Sequence, residues 1–219
     1  MLKIYSVAKI NDDSLKVTNE DSLNLWEKAT MLTTFLSPWS HQPIARMSFQ
    51  SLWDSKTLFF RFEVYDSDIY IDTRDNTKSS VNNSDRVELF FRSNKSMNPY
   101  YCLEIDPSPR IMDFIAKPNK NFNFNWNWPS EDIEVKSSIE KSHYTVEGGI
   151  SLQSLNKLGL IKKGQIETGI FRAKYKKLDH GGYEPTWITW TDPKTAFPNF
   201  HIASAFGVLK LVDFPNLIE

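Results

Sequence analysis

Along much of this chain apolar and polar residues take turns with the two-residue period of a β-strand. SDRVELFFRS (84–93) sets Val87, Leu89 and Phe91 on one side and Arg86, Glu88, Phe90 and Arg92 on the other. TLFFRFEVYD (57–66) opposes Leu58, Phe60, Phe62 and Val64 to Phe59, Arg61, Glu63 and Tyr65. YYCLEIDP (100–107) opposes Tyr101, Leu103 and Ile105 to Tyr100, Cys102, Glu104 and Asp106. HYTVEGGI (143–150) places Tyr144, Val146 and Ile150 against His143, Thr145 and Glu147. In QIETGIFRAKY (165–175), Ile166, Ile170, Arg172 and Lys174 share a side. IARMSFQSLWD (44–54) and FGVLKLVDF (206–214) complete the set. Turn-rich stretches such as DTRDNTKSSVNNSD, SNKSMNP and LDHGGYEP separate the strands.

Helical signals are few. NEDSLNLWEKA (19–29) has an acidic, cap-forming start ahead of Leu23, Leu25 and Trp26. SLQSLNKLGL (151–160) offers Ser151 as a cap and Gly159 as a stop. Many strands, one or two short helices and no βα alternation predict an all-β fold, an antiparallel β-sandwich. With no internal repeat and no linker, residues 1–219 read as a single domain.

A net charge of −1 makes no electrostatic case for nucleic acid or an anionic membrane as partner. No run approaches the roughly 18 apolar residues of a membrane span. The N-terminal MLKIYSVAKINDDSLKV lacks the apolar stretch of a signal peptide, so the chain reads as cytoplasmic if that N-terminus is native. Cys102 is the single cysteine, which excludes an intrachain disulfide and any Cys-based zinc cluster.

Aromatic content changes the picture. Seven Trp occur, four of them in the loops NFNFNWNWPSED (121–132) and YEPTWITWTDP (183–193). Arg61 and Glu63, Arg86 and Glu88, Glu104 and Asp106, Glu147, and Arg172 with Lys174 recur at alternating strand positions. Neighbouring strands would gather them into one mixed charged band, interleaved with Phe59, Tyr65, Phe90 and Tyr100. A charged outer face is the ordinary way for a sandwich to stay soluble. Indole platforms beside Arg, Asn and carboxylate groups are also what a sugar needs: an apolar wall for its C–H face and partners for its hydroxyls.

The ordered elements LWDSKTLFFRFEVYD, SDRVELFF, YYCLEIDPSPRIMDF and WITWTDPKTAFPNFHIASAFGVLKL resemble the family 9 carbohydrate-binding modules and their DOMON-like relatives, from about Leu25 to Leu211. That resemblance implies a jelly-roll-like sandwich of about eleven strands with carbohydrate as its partner. In the xylanase-attached members the ligand is the reducing end of xylan or cellulose. Two Trp side chains there sandwich a sugar ring and a Glu of the D-x-V-E strand bonds its hydroxyls. By resemblance Asp85 and Glu88 match that strand, Trp190 or Trp187 the late Trp, and Arg172 the Arg before it. The first sandwiching Trp has no counterpart, because SSVNNSD carries Val81 and Asn82 there; Trp126 or Trp128 would have to supply the wall. The ligand-binding set expected is therefore Glu88, Arg86, Glu104, Arg172, Trp190, Trp187, Trp128 and Trp126. The resemblance also implies an exported protein and a structural calcium, for which YDSDIYID offers Asp66, Asp68 and Asp72.

Two other classes stay open. Glu63, Glu88, Glu104 and Glu147 include enough carboxylates for a glycoside hydrolase pair, although neighbouring Arg and Lys would lower their pKa values, the wrong direction for a general acid. Some DOMON relatives hold haem between Met and His; candidates here are His41, His143, His180 and His201 with Met47, Met97 or Met112.

Overall fold

Parity along each strand decides what it buries, and the computed structural model, which describes residues 2–12, 14–17, 23–179 and 182–215, shows how. In chain order the elements are β1 (Ile4–Lys9), α1 (Leu23–Trp26), β2 (Met47–Trp53), β3 (Thr57–Val64), α2 (Lys78–Asn82), β4 (Arg86–Arg92), β5 (Tyr100–Ile105) and β6 (Ile111–Lys117). They continue with β7 (Asn121–Asn123), β8 (Ile133–Ile139), β9 (Tyr144–Ser151), α3 (Leu152–Lys157), β10 (Ile161–Lys162), β11 (Gln165–Lys177), β12 (Tyr183–Thr189) and β13 (Gly207–Leu211).

The strands run in the order β7-β6-β5-β4-β11-β13-β1-β2-β3-β9-β8, with β10 and β12 also paired to β11. This ribbon folds over as a β-sandwich. β1 joins its halves: Ile4 to Val7 run parallel to β13, and Ala8 and Lys9 run parallel to β2. These two junctions make the sheet mixed, where alternation alone gave an antiparallel one. Between the layers, Val87, Leu89, Phe91, Leu103 and Ile170 meet Phe49, Phe62, Val146 and Ile150. Each such side chain contributes about 1.5–3 kcal/mol by leaving water.

Two outer apolar layers complete the molecule. Residues 10–17 and α1 lay Ile10, Leu15, Val17 and Trp26 over Leu52 and Phe59 of the second sheet. The Gln50 amide donates to the Trp26 and Ala29 carbonyls, holding α1 on β2. On the first sheet, Phe200, Ala205 and Phe206 cover Phe90, Cys102, Phe114 and Phe171. Every residue of β4 and β5 is consequently buried, on both faces.

α3 forms as its sequence predicts: Ser151 Oγ accepts from the Ser154 amide at 2.9 Å, and Gly159 follows the helix at φ +69°. α1 is four residues long; the cap expected at its start falls on residues 18–22, outside the described residues. The stretch 183–189, expected as a Trp-rich loop, is the edge strand β12. Among the described residues no helix is long and apolar enough to cross a membrane.

Candidate functional site

β4 and β5 pair Glu88 directly opposite Glu104, and parity turns both to the covered outer face of the first sheet. Arg86, two residues along, sits between them. Its Nε donates to Glu104 Oε2 at 2.5 Å and lies 3.0 Å from Glu88 Oε1; its Nη1 donates to the Asn82 carbonyl at 2.7 Å. Arg86, Glu88 and Glu104 are only 3%, 1% and 3% exposed. One guanidinium thus serves two buried carboxylates, and Glu88 Oε1 makes no hydrogen bond. Burial, with Glu104 alongside, pushes Glu88 well above the usual carboxylate range. Burial also raises Glu104, against the pull of Arg86. Both shifts favour the protonated carboxyl, in a cluster where one guanidinium faces two acidic groups.

Aromatic rings cover this cluster. The Arg86 guanidinium lies 5.7 Å from the ring centroids of both Tyr175 and Trp187, within cation–π range. Phe200 stacks on Phe171 at 4.1 Å with 11° between the planes. His201 stacks on Phe90 at 5.1 Å and shares a 3.0 Å hydrogen bond with the Tyr100 hydroxyl. Burial, helped by Lys120 and Arg86, lowers the imidazole pKa to about 4, so the ring is neutral at ordinary pH.

Trp187, half-buried, is where this interior reaches the surface. With Pro198 it lines two adjoining hollows. One, of about 170 Å³, is bounded by Lys120, Asn199, Phe200 and His201. The other is a groove of about 590 Å³ lined by Trp39, Ser37, Gln42, Lys174, Glu184 and Thr186 among others. The groove has a backbone cause. Leu36 pairs with Thr189 through two hydrogen bonds of 2.9 and 3.0 Å, after which residues 37–42 leave β12 and the strand edge opens. Trp39 is fixed by a 2.9 Å bond from Nε1 to the Thr195 carbonyl and by packing on Phe200. Ser37 Oγ is buried beside the groove without a hydrogen-bond partner. No strand period singles out Trp39; its setting in SPWSHQP, a Trp among turn formers, is the only sequence signal.

The remaining expected residues lie elsewhere. Trp190 is 2% exposed in the interior cluster, its ring over Gly207, where a Cβ would lie 2.4 Å from it. Trp128 packs edge-on to Phe91 and donates to Ser154 Oγ at 2.7 Å; Trp126 leans on Tyr101 and Trp128. Phe91 and Tyr101 belong to the interior face, so these three indoles stand across the sheet from Glu88. Arg172 is opposite Val87 in register and fully buried on that interior side, ion-paired to Asp66 and 4.0 Å from Asp85. The single charged band expected from alternation is therefore divided. A third part, Arg61 and Lys136 on Glu147 at 3.4 and 3.1 Å, lies on the outer face of the second sheet.

The acidic loop does not fit calcium. Arg172 and Lys174 occupy the Asp66 carboxylate, and Arg74, bonded to Asp72 at 2.6 Å, holds that group down at about 2. Among the described residues no three His, Cys, Asp or Glu gather to hold a metal. The four candidate hydrolase carboxylates also separate: Glu88 and Glu104 share Arg86, while Glu63 bonds the Tyr65 hydroxyl at 2.9 Å and Glu147 pairs on the other sheet. Of the haem candidates, His201 is engaged with Tyr100 beside a hollow too small for a macrocycle, and His143 stacks on Tyr65. His180 lies outside the described residues.

Residues 20–214 match the model of the carbohydrate family 9 binding domain-like family. The chain belongs to this family. Among solved structures, a candidate carbohydrate-binding protein from Bacteroides uniformis superposes with a TM-score of 0.74 at 15% identity, covering 96% of this chain and 100% of that one. A family 9 carbohydrate-binding module from Caldicellulosiruptor kristjanssonii, in complex with glucose, superposes at 0.61 and 16% identity, covering 99% and 100%. The same organism's module in complex with cellotriose gives 0.61 and 16%, covering 95% and 93%. A comparison with curated protein sequences finds no match. The family 9 sandwich thus carries, in this chain, a buried Arg–Glu–Glu cluster beneath a half-buried Trp.

Proposed function

We propose that this family 9 domain binds a glycan of plant-polysaccharide type, cellulose or xylan chains, in the groove between Trp39 and Trp187. The observation that carries this reading is the pairing of two half-buried indoles in one groove whose remaining lining, Pro185 and Pro198 apart, is polar. Indole faces receive the C–H face of a pyranose. Gln42, Glu184 and Thr186, which line the groove, suit the ring hydroxyls. Beneath them Arg86, Glu88 and Glu104 act as positioning residues: their ion pairs fix the guanidinium that supports the Trp187 and Tyr175 rings. The relatives bound to glucose and cellotriose make β-linked glucans the first ligands to try.

The test is calorimetric titration with cello- and xylo-oligosaccharides. Trp187→Ala and Trp39→Ala should each weaken binding by about 1–3 kcal/mol, roughly five- to a hundredfold. Unchanged affinity in both variants would remove the site from this groove.

A further inference from the structure

The groove does not end at Trp187. It follows four consecutive residues of β12, Glu184 to Trp187, together with Lys174 and Lys176 of β11. Alternate residues of a strand share a face, so Trp187, Pro185 and Tyr183 form one stripe. At about 3.3 Å per residue it extends over roughly 13 Å, the scale of several linked sugar rings and not of one. Pro185 and Tyr183 are exposed. Tyr183 meets Tyr70 at 4.5 Å with the planes 32° apart. Tyr70 is itself anchored: its carbonyl accepts from the Asp85 amide at 2.8 Å and its amide donates to the Asp85 carboxylate at 3.3 Å. An aromatic pair therefore stands at the far end of the stripe, and Tyr175, opposite Pro185 in register, packs edge-on to Trp187 from β11.

Charge says what the occupant is. Lys174 is taken by Asp66 and Asp85, at 3.4 and 3.0 Å, and Lys176 stands opposite Glu184 in the β11–β12 register. Asp68 faces Lys174 at 3.9 Å. The groove lining holds two carboxylates, Asp68 and Glu184, against two cations, Lys174 and Lys176, a balance that suits a polar ligand without net charge. We infer that the binding site continues from Trp187 along the β12 stripe to Tyr183 and Tyr70, and holds a linear, uncharged oligosaccharide several rings long. The inference rests on the sugar-binding reading above and adds its length and its charge.

The experiment is a length series: glucose and the β-1,4-linked gluco-oligosaccharides from disaccharide to hexasaccharide, with the xylose series in parallel, titrated into wild type, Tyr183→Ala, Tyr70→Ala and Trp187→Ala. Affinity should rise about tenfold or more from the monosaccharide to the tetrasaccharide and then level off. Tyr183→Ala should flatten that rise, Tyr70→Ala should reduce it, and Trp187→Ala should weaken every length. Wild-type affinity independent of length, or a rise that survives in both Tyr variants, overturns the extension while leaving a one-ring site at Trp187 intact. Failure of wild type to bind any length overturns the sugar reading as well. Tighter binding of a galacturonic acid oligomer than of its neutral counterpart would refute the assignment of an uncharged ligand.

Discussion

The guanidinium of Arg86 lies 5.7 Å from the ring of Trp187, so a buried cation backs the aromatic surface that faces the groove. The charge is invisible from solvent, yet it supports the half-buried ring from beneath. Two Trp of the same segment consequently have different tasks, Trp187 at the surface and Trp190 in the interior.

Trp190→Ala and Trp187→Ala should separate those tasks. Emptying the Trp190 site leaves a cavity over Gly207 and should cost about 3–5 kcal/mol in chemical denaturation. Trp187→Ala should unfold much nearer the wild-type midpoint while losing glycan affinity. A Trp190 variant of full stability would contradict its interior placement.

Glu88 makes stability fall as pH rises. Its folded pKa is raised above the ordinary 4.5, so its stabilising contribution is complete below that value and declines as pH climbs through the folded one. Glu88→Gln keeps the neutral amide at all pH and should flatten this decline. Superimposable pH–stability curves for the two proteins would mean the carboxyl holds no proton.

His201 works in the opposite sense. Its pKa falls from 6.5 to about 4, so its contribution is complete above 6.5 and is lost as pH drops through 4. The wild type should lose up to about 3 kcal/mol across that window, and His201→Gln should lose less. Melting temperatures recorded between pH 7 and pH 4 give the comparison.

Arg172→Met should be more damaging than its distance from the groove suggests. It strips Asp66 and Asp85 of their guanidinium neighbour and leaves Lys174 as the one cation facing both, so the loss should approach the about 3–5 kcal/mol that breaking a buried ion pair costs. Urea denaturation measures the loss. Glycan affinity at temperatures where the variant remains folded should stay close to wild type.

How far the sequence discloses all this depends on periodicity. β4 was legible to the residue, because Val87, Leu89 and Phe91 alternate with Arg86, Glu88 and Phe90. Arg172 shares its parity with Ile166 and Ile170, and that parity does send it inward; its match to a family Arg suggested a ligand contact instead. Trp128 and Trp190 lie beyond any alternating run, so nothing local says which way they point. Trp39 is harder still, for its partnership with Trp187 spans most of the chain and depends on residues 37–42 parting from β12. Burial of Glu88 was likewise hidden: the layer of Phe200 and Phe206 that seals it comes from irregular chain around residues 198–206, without a repeat to read.

β1 has one further consequence. Ile4 lies beside Val208, with nearly the whole polypeptide between them, while Ala8 and Lys9 are already committed to β2. β1 therefore has to wait for β13, at the other end of the domain, before its hydrogen bonds are complete. Until that clasp closes, the two layers share no common member, and contacts of such long range form slowly. Synthesis must deliver both extremities before this domain can become a single cooperative body.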